Sequence, residues 1–375
     1  RRICFVVASE MTVKAFLKEP IAAIDSQDDV SLIVDTRDPD ALREAGIRAR
    51  VLPLSIARDI ALFRDFRVLL QLWRIFRREQ FDIVHSLTPK AGLLAMLAGR
   101  LAGIPVRIHI FTGQVWATRQ GFSRWLLKLM DRILAASATH LLADSPSQRQ
   151  FLIDQGVASA DRIAVLGKGS ISGVDVQRFA PDPQARTDVR GSLGIADSDV
   201  VFLFLGRLNR DKGVLDLAQA FANIAGDQPH AQLLIVGPDE GGMASSMRTI
   251  CRDFPDRIHF VSYTDNPQRY MAAADVFCLP SYREGFGSVI IEAAATGIPA
   301  IGSEIYGITD AIERDCTGLL FPVGDIEELA KAMIHMLADP ARRQAMGAEA
   351  MQRARRDFDA HRVADTWLAY YSALP

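Results

Sequence analysis

Two stretches of the chain combine cations, carboxylates and glycines in a way that suits an anionic, hydroxyl-bearing ligand. The apolar run at 200–206 leads into Arg207, Leu208, Asn209, Arg210, Asp211, Lys212 and Gly213, a polar, basic turn that feeds a helix. Parallel strands bind ligands beyond their carboxyl ends, where a helix N-terminus already favours anions, so Arg207 and Lys212 are placed to neutralise a diphosphate. Further on, the run at 275–280 ends in Ser281, Tyr282, Arg283, Glu284, Gly285, Phe286, Gly287 and Ser288, and a helical stretch continues to Glu292. Gly285 and Gly287 allow close backbone approach, which would present the amides of Phe286, Gly287 and Ser288 to phosphate or sugar oxygens. Glu284 on the loop and Glu292 two turns along would reach different parts of one ligand. Carboxylates accept hydrogen bonds from sugar and ribose hydroxyls, so a nucleotide sugar matches this set better than a nucleotide alone.

Such groups need a scaffold that ends several strands at one edge. Short β-branched runs (ICFVVA, VSLIV, FDIVH, VRIHIF, THLLAD) alternate with stretches of helical period at 58–80, 88–102 and 121–136. That is a βαβ pattern with a buried parallel sheet. After a loop at 167–182 rich in Gly, Ser, Pro and Asp, the alternation restarts with VVFLFLG, AQLLIVG, IHFVSY, DVFCLP, IPAIG and GLLF. Two doubly wound Rossmann-like α/β domains in tandem follow, with a hinge near residues 168–182. A last amphipathic stretch at 357–374 carries Phe358, Val363, Trp367, Leu368 and Tyr371.

Composition narrows the function classes. With 375 residues, 49% of them hydrophobic and 23% charged, the chain can bury two substantial cores. Its four cysteines, Cys4, Cys251, Cys278 and Cys316, lie far apart with no C-x-x-C spacing, which argues against a disulfide scaffold or structural zinc and fits a reducing, cytoplasmic setting. The opening RRICFVVASE has no long apolar leader, and the most apolar stretch, 91–111, is broken by Arg100, Pro105, Arg107 and His109, so neither a secretion signal nor a membrane span is expected. The D-x-D matches Asp38-Pro-Asp40 and Asp197-Ser-Asp199 sit in turn-like surroundings, and no P-loop is present. With Arg207 and Lys212 available, no metal and no other cofactor is expected.

Charge is unevenly spread. Residues 1–175 hold 24 Lys and Arg against 18 Asp and Glu, whereas the remainder holds 19 against 27. Between Arg50 and Arg132 there are 14 basic and 5 acidic residues, a surplus that suggests an anionic partner. Nucleic acid is not expected: no binding motif with interleaved aromatics accompanies the basic region, and the acidic second half would repel a long polyanion. In the stretch beginning near Asp59, Arg64, Arg67, Arg74 and Arg78 accompany Phe63, Leu70, Trp73 and Phe76. In 121–135, Arg124, Lys128 and Arg132 accompany Phe122, Trp125, Leu129 and Ile133. Two basic amphipathic helices of this kind suit peripheral attachment to the inner leaflet of the cytoplasmic membrane.

The Glu284–Glu292 spacing resembles the E-x7-E signature of the retaining family 4 glycosyltransferases of the GT-B fold. Arg207 and Lys212 match that family's phosphate-binding pair, and Gly173-Val174-Asp175 before Arg178-Phe179 resembles its N-G-V-D-x-x-R-F hinge, with Ser172 in place of Asn. The resemblance covers essentially the whole chain. It implies two domains facing a cleft, an acceptor-binding one at 1–172 joined by a C-terminal helix at 357–375 and a nucleotide-sugar-binding one at 173–356. It also implies donor-sugar contacts for Glu284, ribose contacts for Glu292, and a site role for His109, which is equally readable as a satisfied strand residue. Family members often carry a glycine-rich turn after the first strand; here it reads Ala8, Ser9, Glu10, Met11, Thr12.

The stretch Asp82 to Gly92 resembles members that elongate glycans carried on polyprenyl diphosphate. It points to Thr88 and Lys90, at a helix start beyond a strand, as holders of an acceptor phosphate. Gly169 and Ser170, beside Lys168, would face the donor or acceptor. The implied reaction is transfer with retention from a UDP-sugar, of an N-acetylated hexose, to a hydroxyl of a polyprenyl-diphosphate-linked saccharide. A soluble acceptor, a sugar-nucleotide epimerase of the same architecture and a binding module without turnover are the alternatives.

Overall fold

The computed structural model describes residues 1–56 and 61–375. The chain divides into two compact units, one comprising Arg1–Gly173 with Ala360–Pro375 and the other Val174–Asp359. Each unit is built on one all-parallel sheet.

The first unit holds β1 (Arg2–Val7), β2 (Asp29–Val34), β3 (Arg50–Pro53), β4 (Ile83–Leu87), β5 (Val106–Phe111), β6 (His140–Ala143) and β7 (Ile163–Val165) in the order β3-β2-β1-β4-β5-β6-β7. Five of its strands match the apolar runs legible in the sequence; β3 and β7 are additional, short edge strands. Side chains along β1 alternate between two cores: Ile3, Phe5 and Val7 face one and Cys4 and Val6 the other. A strand buried on both faces is why the run reads as continuously apolar. The order reverses between β1 and β4, so the switch-point crevice of this unit lies beyond the ends of those two strands.

One of the two cores is closed by the helix Ala360–Ser372, whose Val363, Trp367 and Tyr371 recur every four residues and face inward. Trp367 stacks on His85 at 5.1 Å, its Nε1 donates to Ile171 O at 2.9 Å, and Tyr371 Oη shares a 2.7 Å hydrogen bond with His85 Nδ1. Burial holds the His85 imidazole well below its usual pKa, with His109 nearby adding to the effect. Phe358, which the sequence pattern groups with this helix, belongs instead to the second unit. It ends the preceding helix and packs on Phe286 at 5.2 Å.

The helix Leu62–Glu79 buries Val68, Leu72, Phe76 and Glu79. The start of its periodic stretch, at 58–60, lies outside the described residues. Glu79 is clamped by Arg50 and Arg78, each at 2.8 Å, which holds its carboxyl below the usual range. The outer face presents Leu62, Phe63 and Phe66 to solvent at 80%, 95% and 62% exposure. The helix Gly121–Ser137 likewise exposes Phe122 and Trp125, stacked on each other at 5.7 Å. No helix of the described residues is long and apolar enough to cross a membrane.

The second unit holds β8 (Val200–Leu205), β9 (Ala231–Val236), β10 (Ile258–Val261), β11 (Val276–Leu279), β12 (Ala300–Ser303) and β13 (Gly318–Phe321) in the order β10-β9-β8-β11-β12-β13. Each corresponds to a run legible in the sequence. The reversal falls between β8 and β11, the two strands that lead into the basic turn and the Glu-Gly-Phe-Gly loop. A buried guanidinium braces the amino ends of the same two strands. Arg190 Nη2 meets Asp275 at 2.6 Å, its other nitrogens donate to the carbonyls of Ala273, Ala196 and Asp199, and Asp275 also accepts from Val201 N at 2.8 Å.

Candidate active site

The loops beyond β8 and β11 are sewn together by their backbones before any side chain acts. Asn209 Oδ1 accepts from Lys212 N and so caps the short turn Arg210–Lys212. Gly213 follows with φ 66°, and a Cβ there would sit 2.0 Å from Pro280 O, so only glycine lets the two strand ends meet. Tyr282 N donates to Asp211 O at 2.8 Å, Arg283 pairs with Asp211 at 3.1 Å, and Tyr282 Oη donates to Asp216 at 2.7 Å. That last bond pushes the Tyr282 phenol up to about 12.

This frame brings Lys212 and Glu284 into direct contact. Lys212 Nζ lies 2.5 Å from Glu284 Oε1, which also accepts from Ser281 Oγ at 2.8 Å; the side chains are 22% and 13% exposed. Arg207 reaches Glu240 at 3.3 Å, and Asn209 Nδ2 donates to the same carboxylate at 3.2 Å. Glu240 sits on the loop after β9 and carries no sequence motif; only the parallel pairing of β8 with β9 brings it here. The arrangement is therefore two partly exposed cations at a switch point, each with a carboxylate as its partner. It can receive a diphosphate, and Glu284 and Glu240 can accept hydroxyls.

Gly285, Phe286, Gly287 and Ser288 form the bend from that loop into the helix Ser288–Ala295. Phe286 is 1% exposed and belongs to the core, and Gly285 and Gly287 on either side of it are buried as well. Gly287 caps the helix in left-handed backbone, φ 80°. Glu292, half-buried along the helix, is pushed up to about 7 by burial, with Arg178 opposing. A folded-state carboxyl that keeps its proton to about pH 7, when the unfolded one loses it near 4.5, makes stability fall as pH rises through that window. Glu292→Gln is expected to leave the melting temperature unchanged at pH 4.5 and raise it at pH 8, by on the order of 1–3 kcal/mol in stability, read by calorimetry at both pH values.

The remaining sequence-derived residues belong to the first unit. Thr88 sits at its switch point with φ 69°, uncommon for a β-branched residue, and its Oγ1 is buried with no hydrogen-bond partner among the described residues. It precedes the helix Pro89–Ala102, where Lys90 Nζ pairs with Asp65 Oδ1 at 2.6 Å. His109 lies inside β5, 1% exposed, with Nδ1 2.8 Å from Ser86 Oγ. Burial drives its pKa down to about 3. Its ring fills the space beside Gly92, where a Cβ would come within 2.4 Å of Cε1. Gly169 and Ser170 follow β7; Ser170 N donates to Asp144 O at 2.8 Å and its Oγ accepts from Gly173 N at 3.1 Å.

A further cluster without a sequence signal holds the segment after β5. Trp116 Nε1 donates to buried Asp131 at 2.7 Å, and Gln148 Nε2 donates to Thr112 O at 2.7 Å. Burial raises the Asp131 carboxyl to about 6. The two D-x-D matches are structural: Asp38 caps the helix Pro39–Glu44, and Asp199 accepts from Gln232 at 2.9 Å. Among the described residues no group of three His, Cys, Asp or Glu side chains is arranged to hold a metal ion.

Comparison with known proteins fits this geometry. Residues 18–169 match the family described as glycosyl transferase 4-like domain, and residues 185–353 match glycosyl transferases group 1. The capsular polysaccharide biosynthesis glycosyltransferase CapM of Staphylococcus aureus is 30% identical over 328 residues, 87% of this chain and 85% of its own. The Escherichia coli UDP-Gal:alpha-D-GlcNAc-diphosphoundecaprenol alpha-1,3-galactosyltransferase is 28% identical over 84% of this chain and 81% of its own. Among solved structures, Anabaena HepE in complex with UDP-glucose superposes with a TM-score of 0.81 at 19% identity, covering 100% of both chains. The Glu284–Glu292 and Arg207–Lys212 motifs thus stand in a chain that belongs to the group 1, family 4-type glycosyltransferases and has their GT-B fold.

Proposed function

We propose that the protein transfers a sugar, an N-acetylated hexose, from a UDP-sugar to a hydroxyl of a polyprenyl-diphosphate-linked saccharide, with retention at the anomeric carbon. The observation that carries this reading is the Lys212–Glu284 ion pair at the switch point of the second unit, with Arg207 beside it. Arg207 and Lys212 stabilise the departing diphosphate, whose charge develops in the transition state. Glu284 takes hydroxyls of the donor sugar and Glu292 those of the ribose. Retention follows from front-side substitution, in which the leaving diphosphate helps accept the acceptor proton and neither glutamate becomes covalently linked. Fixed cations do the work of a divalent ion, so the reaction needs no metal.

The E. coli relative, by its name, uses UDP-galactose and a diphosphoundecaprenol-linked acceptor, and HepE was solved with UDP-glucose; both support the donor class, and the first alone supports the acceptor class. The test is a screen of UDP- and GDP-sugars against a polyprenyl-diphosphate-linked sugar, following nucleoside diphosphate release and the anomeric proton by NMR, with and without EDTA. Acceptor-dependent UDP release with an α-linked product, undiminished in EDTA, is the expected result. Donor conversion without acceptor would instead identify an epimerase, and binding without turnover a binding module.

Attachment to the inner leaflet of the cytoplasmic membrane through the first unit completes the reading. Leu62, Phe63 and Phe66 on one helix and Phe122 and Trp125 on another are exposed among Arg64, Arg67, Arg74, Arg124 and Arg132. Each basic side chain near an anionic leaflet adds about 1 kcal/mol, and the apolar ones enter the interface. In vesicle flotation the protein is expected to partition onto anionic liposomes several-fold more than onto neutral ones, with the difference lost in high salt. Equal partitioning would leave the basic surplus to the acceptor alone.

A further inference from the structure

Lys90 does not stand alone at its switch point. Its ammonium lies 2.6 Å from Asp65 Oδ1, and the two side chains are only 13% and 18% exposed. Asp65 comes from the neighbouring helix Leu62–Glu79, where its other oxygen, Oδ2, accepts from Ala61 N at 3.0 Å and so ties down the helix start. Both oxygens of one carboxylate are thereby committed, one to the backbone that fixes its position and one to the lysine. The pair sits beside the N-terminus of Pro89–Ala102, a 14-residue helix whose end favours an anion. A diphosphate arriving there meets a cation already neutralised and a fixed negative charge within the same few ångströms, in a place where solvent screens little.

We propose that Asp65 is a positioning residue that orients the Lys90 ammonium toward an anionic acceptor and weakens its grip, so that the diphosphate-bearing product leaves. This rests on the reading of Lys90 as an acceptor-phosphate ligand. The carboxylate acts through Lys90 and touches no reacting atom. Its geometry separates two quantities: the hydrogen bond fixes where the ammonium points, and the charge sets how tightly an anion is held. Asparagine at 65 keeps an acceptor for Ala61 N and removes the charge, serine removes the charge with a shorter side chain, and glutamate keeps the charge.

The test is titration calorimetry with farnesyl diphosphate as probe, the donor site being saturated with UDP, alongside steady-state kinetics. Asp65→Asn and Asp65→Ser are expected to bind the probe about tenfold more tightly than wild type and to turn over more slowly, with KM for acceptor and kcat falling together. Asp65→Glu should bind as wild type, Lys90→Gln more weakly, and Asp65→Asn should tighten binding less on a Lys90→Gln background than on the wild-type one. If both charge-removing variants bind no more tightly while Lys90→Gln still weakens binding, Asp65 has no such role and the acceptor reading stands. If Lys90→Gln binds the probe as wild type does, that reading fails and the role of Asp65 with it.

Discussion

Replacing Lys212 by alanine is expected to lower kcat/KM for transfer about a hundred- to a thousand-fold, on the order of 3–4 kcal/mol of transition-state stabilisation. Two effects add. The variant loses the cation that meets the departing diphosphate, and it leaves Glu284, 13% exposed and held by Ser281, as an uncompensated charge facing that anion. The fold should survive, because Lys212 lies on a turn whose cap, Lys212 N donating to Asn209 Oδ1, needs no side chain at 212. Circular dichroism and a retained cooperative thermal transition check the fold; release of UDP in the presence of acceptor checks the chemistry. Near-native kcat/KM would remove the diphosphate role from this residue. Arginine at 212 should recover part of the loss, since it keeps the charge but not the point geometry of an ammonium.

The largest expected loss of stability lies elsewhere in the same unit, at Arg190. Its guanidinium is 1% exposed and spends its donors on three carbonyls and Asp275. Methionine fills a similar volume yet leaves those carbonyls and much of Asp275 without their partner, a loss of about 3–5 kcal/mol. In a unit of this size that lowers the melting temperature by roughly 10 °C. Arg186, 2.8 Å from Asp275 and 35% exposed, softens the loss without replacing the buried donors. Removing both partners, as Arg190→Met with Asp275→Leu, should cost less than the sum of the single changes. Thermal unfolding of the three variants measures this, and a drop under 1 kcal/mol in Arg190→Met would show that the buried pair contributes little.

Much of this was legible in the sequence, for reasons that can be traced residue by residue. Strands buried on both faces leave continuous apolar runs, so β1, β4, β8 and β11 announce themselves, and motifs attached to them fall at strand ends. β3 and β7 do not: Arg-Val-Leu-Pro and Ile-Ala-Val are too short and lie at sheet edges, where one side of the ladder needs no partner. Phe358 was misleading because periodicity marks an apolar residue without saying which core receives it. In the site, Arg207, Lys212, Glu284 and Glu292 carry spacing and so could be named. Partners without a motif could not. Glu240 beside Arg207, Asp65 beside Lys90 and Ser86 beside His109 lie far from them in the sequence, and only the fold brings them within reach.

The Trp367 and Tyr371 anchors have a consequence for how the protein is made. The first unit lacks part of one core until residues 363–371 are available, yet its remaining strands leave the ribosome before the second unit is translated. At about 5–20 residues per second the gap lasts roughly ten to forty seconds. During that interval Phe5 and His85 have no Trp367 to cover them. The nascent amino-terminal sheet is thus the segment most in need of chaperone protection, and the second unit, contiguous in the chain, is complete first. The vectorial order of synthesis and the order of folding run in opposite directions.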